Sequence, residues 1–257
     1  MDQPNQIWAD EPFDWYKLEG VSPGMLNHYL YAMIHGYDYK FIRTHDFLDR
    51  NAYWTKIPAM ADILHSYDIV IIADADVTFP HMHLPFEWLM NRWNYTKGMS
   101  FMQTVDPDWG SLQNSFGRVN GNAGFITLQN NKVTHEMLRK WHHCPDDPDH
   151  FPNCDRFRDG FPAEQGAFGE FLRYEYAEYV REVDCDEAMG FPEFGNGCIG
   201  RFVRHYTVGK DRVKDAIAKG VVQGFFNAIE YNMKERESEI VSERLSNDIM
   251  IGEEWDE

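Results

Sequence analysis

The chain has 257 residues, 43% of them hydrophobic and 15% aromatic, enough for one large α/β domain, or a domain with a small subdomain, around a real core. A formal net charge of −18, from 42 acidic against 24 basic residues, repels phosphate backbones and anionic lipid and so disfavours nucleic acid and acidic membrane as partners. Residues 1–15 are polar and acidic, unlike a signal peptide, and no apolar run reaches the roughly 18 residues that a membrane-spanning helix needs.

Residues 1–24 read as an irregular segment. Leu26, Tyr29, Leu30, Met33 and Ile34 then recur at helical spacing, and Gly36 is a natural C-terminal stop. Tyr39 to Ile42 reads as a short strand. Trp54 to Tyr67 reads as an amphipathic helix with Pro58 in its first turn, where a missing N–H costs little. The β-branched run Ile69-Val70-Ile71-Ile72-Ala73 predicts a strand buried on both faces. Helices are expected at Pro85–Trp93, Val133–Trp141, Ala163–Tyr174 and Val213–Tyr231, and strands at Ser100–Val105, Gly124–Leu128, Tyr179–Val183 and Phe202–Tyr206. Residues 234–257 form an acidic tail, read as a helical extension or a frayed end. The alternation predicts an α/β domain over residues 25–233, with a mainly parallel central sheet flanked by helices. Such a nucleotide-binding domain normally opens with an apolar strand, and residues 1–24 hold none, so a truncated piece of a longer protein is expected.

Cys144, Cys154, Cys185 and Cys198 permit three full pairings, and no Cys-x-x-Cys points to zinc or redox chemistry. Two local disulfides and four buried thiols are equal expectations. Asn94-Tyr95-Thr96 is a glycosylation triplet of a kind that often arises by chance.

Asp74-Ala75-Asp76 follows the apolar run directly. Ligands in open α/β sheets sit beyond the carboxyl ends of strands, and two adjacent carboxylates repel unless a cation lies between them. Hard cations, Mn²⁺ or Mg²⁺, take such oxygens and often share them with substrate phosphates. The bland reading is a pair of loop or helix-capping aspartates. Asp74-x-Asp76-x-Thr78 also fits the opening motif of haloacid-dehalogenase-type phosphatases, with Asp74 as nucleophile. That reading needs an acidic pair at a later strand end, and Asp146-Asp147 lies instead in Cys-Pro-Asp-Asp-Pro-Asp, with no strand before it.

Six segments in order resemble a GT-A-type nucleotide-diphospho-sugar transferase, above all the galactosyl/xylosyl-transferase family of the α-mannosyltransferase complex. They are Asn27-x-x-x-Tyr31-Ala32-x-x-His35-Gly36-Tyr37, Tyr53-Trp54-x-Lys56-Ile57-Pro58, Asp74-Ala75-Asp76, Asn120-Gly121-Asn122-Ala123-Gly124-Phe125, Glu164-Gln165 and His205-x-x-x-Gly209-Lys210. The resemblance implies a DXD metal site of Asp74, Asp76 and His205, the last as neutral imidazole, with Asp74 also on the ribose side of a UDP- or GDP-sugar. It implies Lys56 and Lys210 toward the donor, with Lys210 at the diphosphate, and Asn122 and Gly124 beside the sugar, Gly124 letting the backbone approach. Glu164 and Gln165 would face the reacting sugar. The family more often has Asp-Asp-Gln where this chain has Ala163-Glu164-Gln165, which leaves a carboxylate nucleophile there in doubt. His35-Gly36-Tyr37 reads as structural. Trp88, Trp93, Trp109 and Trp141 could stack on a carbohydrate or glycoprotein acceptor, although core packing explains most aromatics. The resemblance further implies retention of anomeric configuration and residence in the Golgi lumen. An inactive, scaffold-like relative lacking the base-binding first strand is the non-enzymatic alternative.

Overall fold

The computed structural model describes residues 6–8, 10, 12–20, 22–108, 110, 112–190 and 198–241. Trp109 and most of the acidic tail lie outside the described residues.

Helix α1 (Ser22–His35) ends at Gly36, whose φ of +71° is open to glycine at no steric cost, and Tyr37 N–H closes back on Ala32 O at 2.9 Å. The expected strand at Tyr39–Ile42 is absent: the segment has no regular secondary structure and pairs with no described strand. A short 3₁₀ turn (Ala52–Thr55) leads into α2 (Lys56–Leu64) and then strand β1 (Ile69–Ala73). There follow β2 (Val77–Thr78), α3 (Phe86–Arg92), β3 (Phe101–Val105), β4 (Gly121–Gln129) and α4 (Lys132–His143). The helix expected over Ala163–Tyr174 is α5 (Ala163–Ala167), a π-helical turn (Phe168–Leu172) and α6 (Arg173–Glu175) in unbroken succession. Strands β5 (Val180–Val183), β6 (Ala188–Gly190) and β7 (Val203–His205) precede the long α7 (Val213–Glu235) and short α8 (Glu237–Ile240).

The main sheet has order β1-β4-β3-β5. Three of its strands, β1, β3 and β5, run one way, and β4 runs against them, so the pairings on either side of β4 are antiparallel while β3–β5 is parallel. Strand β1 is an edge strand. Only Val70 is fully buried in it and Ile69 is 38% exposed, a correction to the expectation of burial on both faces: an edge strand has a neighbour's side chains on one flank only. A second sheet, β2-β7-β6, lies beyond the carboxyl end of β1.

Alternation along the strands divides the core in two. Ile126 and Phe101 pack with Trp54, Met60, Trp141 and Phe168 under α2, α4 and α5. Phe125 and Met102 point the other way, to Tyr31, Phe86, Trp93 and Met189 under α1, α3 and the second sheet. Trp93 and Trp141 are therefore core residues, 3% and 0% exposed, and not acceptor platforms; Trp88 is 41% exposed beside Phe202 and Arg92. Both local disulfides are formed, Cys144–Cys154 and Cys185–Cys198. Beyond residue 220, α7 is exposed throughout. None of its helices is long and apolar enough, among the described residues, to cross a membrane.

Candidate active site

Chain direction at the end of β1 is set by three bonds. Asp74 N donates to Gly124 O at 2.8 Å, Val77 N donates to Asp74 O at 2.8 Å to close a turn, and Tyr206 N donates to Asp76 O at 2.9 Å. Asp74 and Asp76, two residues apart, face the same space, as alternate residues of a strand do, and the turn bends the chain on into β2. Pairing of β2 with β7 sets Val77 opposite His205 and carries the imidazole to the same place, although 129 residues separate it from Asp76.

Helix α1 backs this turn, a role that sequence reading missed. Gly24 packs so closely on the Ala75 carbonyl that any side chain there would collide with backbone. His28 Nε2 donates to Val77 O at 2.7 Å, and burial lowers its pKa, so it serves as a neutral donor. Asn27 uses both ends of its amide on the Phe79 backbone, donating at 3.2 Å and accepting at 2.7 Å. Tyr31 and His35 bond Leu84 O and Met82 O. The first block of the resemblance is thus a brace for the Asp74–Val77 turn and the segment after it.

Donor atoms of Asp74, Asp76 and His205 lie within 4.8 Å of one another. Asp76 is 4% exposed, with His205 Nε2 at 3.2 Å and Lys210 Nζ at 2.9 Å. Burial pushes its carboxyl pKa up, but those two partners outweigh burial and hold it well below the usual carboxylate range. Lys56 Nζ is 2.8 Å from Asp74 and donates to Ala123 O at 3.2 Å. Desolvation favours loss of its proton, yet Asp74 and Glu164 raise its pKa, so it stays charged. Glu164 is 3% exposed, with Lys56 Nζ at 4.0 Å, and burial pushes its pKa up to about 7. The residue before it, Ala163, is forced to φ +50°, left-handed backbone that costs a non-glycine residue about 1 kcal/mol or more. Glu164 and Gln165 are presented from this strained corner.

A second cluster adjoins the first. Gln165 Nε2 and Asn122 Nδ2 both donate to the buried Asp106, at 2.6 and 2.7 Å. Gln165 Oε1 accepts from Ala123 N at 3.0 Å, and Asn122 Oδ1 from Gly124 N at 2.7 Å. Burial raises the Asp106 pKa. Asp106 was missed by sequence reading, although it directly follows the predicted strand Ser100–Val105 just as Asp74 follows β1. A Cβ on Gly124 would lie 2.7 Å from His205 Cε1, so the lack of a side chain there leaves room for that imidazole. All nine residues expected at the site thus fall on two touching clusters. The phosphatase's acidic pair does not: Asp146 is bound by Arg50 and Arg158 at the surface.

No protein-family model and no curated protein matches the sequence. Among solved structures, the apo form of mouse xyloside xylosyltransferase 1 overlays with TM-score 0.42 and 13% identity over 74% of each chain, too loosely to carry weight. A glycosyltransferase involved in the glycosylation of the major capsid of PBCV-1 overlays with TM-score 0.56 and 12% identity, over 77% of this chain and 92% of that one. The fold expected from the sequence, a GT-A-type α/β domain, is the fold the chain adopts, and it is shared with that solved glycosyltransferase.

Proposed function

We propose that the chain is a metal-dependent glycosyltransferase that moves a hexose or pentose from a UDP- or GDP-sugar to an acceptor hydroxyl, with retention of configuration. The observation that carries this reading is the convergence of Asp74, Asp76 and His205 at the end of β1, with Lys56 and Lys210 at their flanks. Two carboxylates and one imidazole fit Mn²⁺, with Mg²⁺ the more strictly oxygen-seeking alternative. When bound, the ion supplies positive charge against a departing diphosphate. Asp76 is ionised in advance and need lose no proton to act as ligand. The Lys210 side chain is 54% exposed, free to exchange Asp76 for a phosphate oxygen as a mobile point charge. Asp106 fixes the amides of Asn122 and Gln165, whose remaining N–H groups and lone pairs orient the sugar hydroxyls. Glu164, when ionised, offsets positive charge that grows on the sugar ring as the diphosphate leaves. The leaving phosphate itself can take the acceptor proton, so no separate base is assigned. Two disulfides support a secretory compartment, the Golgi lumen in this reading.

The test is donor hydrolysis and transfer with a panel of UDP- and GDP-sugars. Activity is expected to disappear with EDTA and return with Mn²⁺. Activity indifferent to chelation defeats the reading.

A further inference from the structure

A cavity of about 240 Å³ opens beside the Asp106 cluster, between the loop at Gln113–Ser115 and the segment carrying Phe157, Phe161 and Pro162. It is tied to the proposed sugar site through neighbouring residues of the chain. Asn120, which lines it, lies two residues before Asn122 and accepts from Asp106 N at 3.0 Å through its carbonyl, while Gly166, also in the wall, directly follows Gln165. We propose that this cavity is the acceptor subsite and holds one uncharged pyranose ring of a carbohydrate; the inference rests on the transferase reading above.

Three features fix the ligand class. The volume falls below the roughly 300–1,000 Å³ of pockets for drug-sized ligands, which suits one sugar ring and not a nucleoside diphosphate. The lining is amide and hydroxyl groups, able to donate and accept as sugar hydroxyls do, with the 76% exposed ring of Phe161 as an apolar face. The third feature is charge. Arg156, the cation of the cavity, is 3.2 Å from Glu170, and Glu170 also accepts from Ser115 N at 3.0 Å and from the Ser115 hydroxyl. A uronic acid or phosphorylated sugar would meet that carboxylate and find the guanidinium already neutralised. A neutral ring meets no such cost.

The experiment is titration of the full chain, without donor, with neutral disaccharides (mannobiose, cellobiose, lactose) and a glucuronic-acid disaccharide, followed by saturation-transfer NMR and calorimetry. A neutral disaccharide is expected to bind, Phe161→Ala to weaken it about tenfold, and Trp88→Ala, an exposed aromatic off the cavity, to leave it unchanged. Gln113→Ala, at a second point of the wall, is expected to weaken it several-fold. Binding untouched by both cavity variants, preference for the uronide, displacement of the sugar by UDP or GDP alone, or no sugar binding at all would each overturn the proposal. Calorimetry with UDP or GDP plus Mn²⁺ on the same protein reports separately on the transferase reading. Nucleotide binding without sugar binding sinks only the cavity; sugar binding without nucleotide binding sinks the reading beneath it.

Discussion

Asp76 and Glu164 are both buried carboxylates at the same site, 4% and 3% exposed, yet they sit at opposite ends of the charge scale. Burial pushes both pKa values up. At Asp76, an imidazole at 3.2 Å and an ammonium at 2.9 Å reverse the effect. At Glu164 the sole nearby cation among the described residues is Lys56, 4.0 Å away and drawn instead to Asp74 at 2.8 Å, so burial wins and the pKa reaches about 7. The number and closeness of hydrogen-bonding and cationic partners, and not burial alone, decide the charge. One corner is built to stay anionic, as the proposed cation site requires; the other changes charge near neutrality.

Removing the anion from the first corner has the largest expected effect. Asp76→Asn leaves a folded protein whose transfer rate falls by about 10²–10³-fold or more, the scale of losing one electrostatic contact to the growing charge. Steady-state transfer assays check this, with Mn²⁺ affinity measured alongside. Removing the cation from the second corner comes next. Lys56→Met strands Asp74 and Glu164 together and is expected to cost about 3 kcal/mol at pH 8, and less at pH 5.5 where Glu164 is protonated, read from urea denaturation at both values. Glu164→Gln runs the other way. The folded pKa of Glu164, about 7, lies above its ordinary 4.5, so its destabilising effect is absent below pH 4.5 and grows as pH rises to 7. A shift of that size corresponds to about 3 kcal/mol as an upper bound. In EDTA, the variant should therefore gain stability over the parent at pH 8 and match it near pH 4.5; equal differences at both values would contradict the assignment. The smallest effect is expected at Asp106. Asp106→Asn keeps the shape but turns one accepted bond into a clash of donors with Asn122 or Gln165, costing about 1–3 kcal/mol of stability and about tenfold in kcat/KM.

The two corners were unequally legible in sequence. Asp74 and Asp76 follow a β-branched run, and helices α1, α2 and α4 carry plain periodicity, so each was visible from local pattern alone. Strands β2 and β6, two and three residues long, exist because β7 pairs with both, and no local propensity marks them. Tyr39–Ile42 errs the opposite way, with strand-forming residues and no strand beside them among the described residues. Gly24, Asn27 and His28 look like ordinary helix positions, and their task is to hold backbone some fifty residues away in sequence. Asp106 was hidden for the same reason: its meaning comes from Asn122 and Gln165, brought to it by the sheet and by α5. His205 was placed by family resemblance, and the reason for Gly124 needed the imidazole in view.

The central claim is tested most directly by calorimetric titration of Mn²⁺ into the chain, with and without UDP or GDP, in the parent and in Asp76→Asn. The account predicts nucleotide binding that appears only with Mn²⁺, vanishes with EDTA and is lost in the variant. Nucleotide binding of equal strength without the ion, or Mn²⁺ binding unchanged in Asp76→Asn, would contradict it.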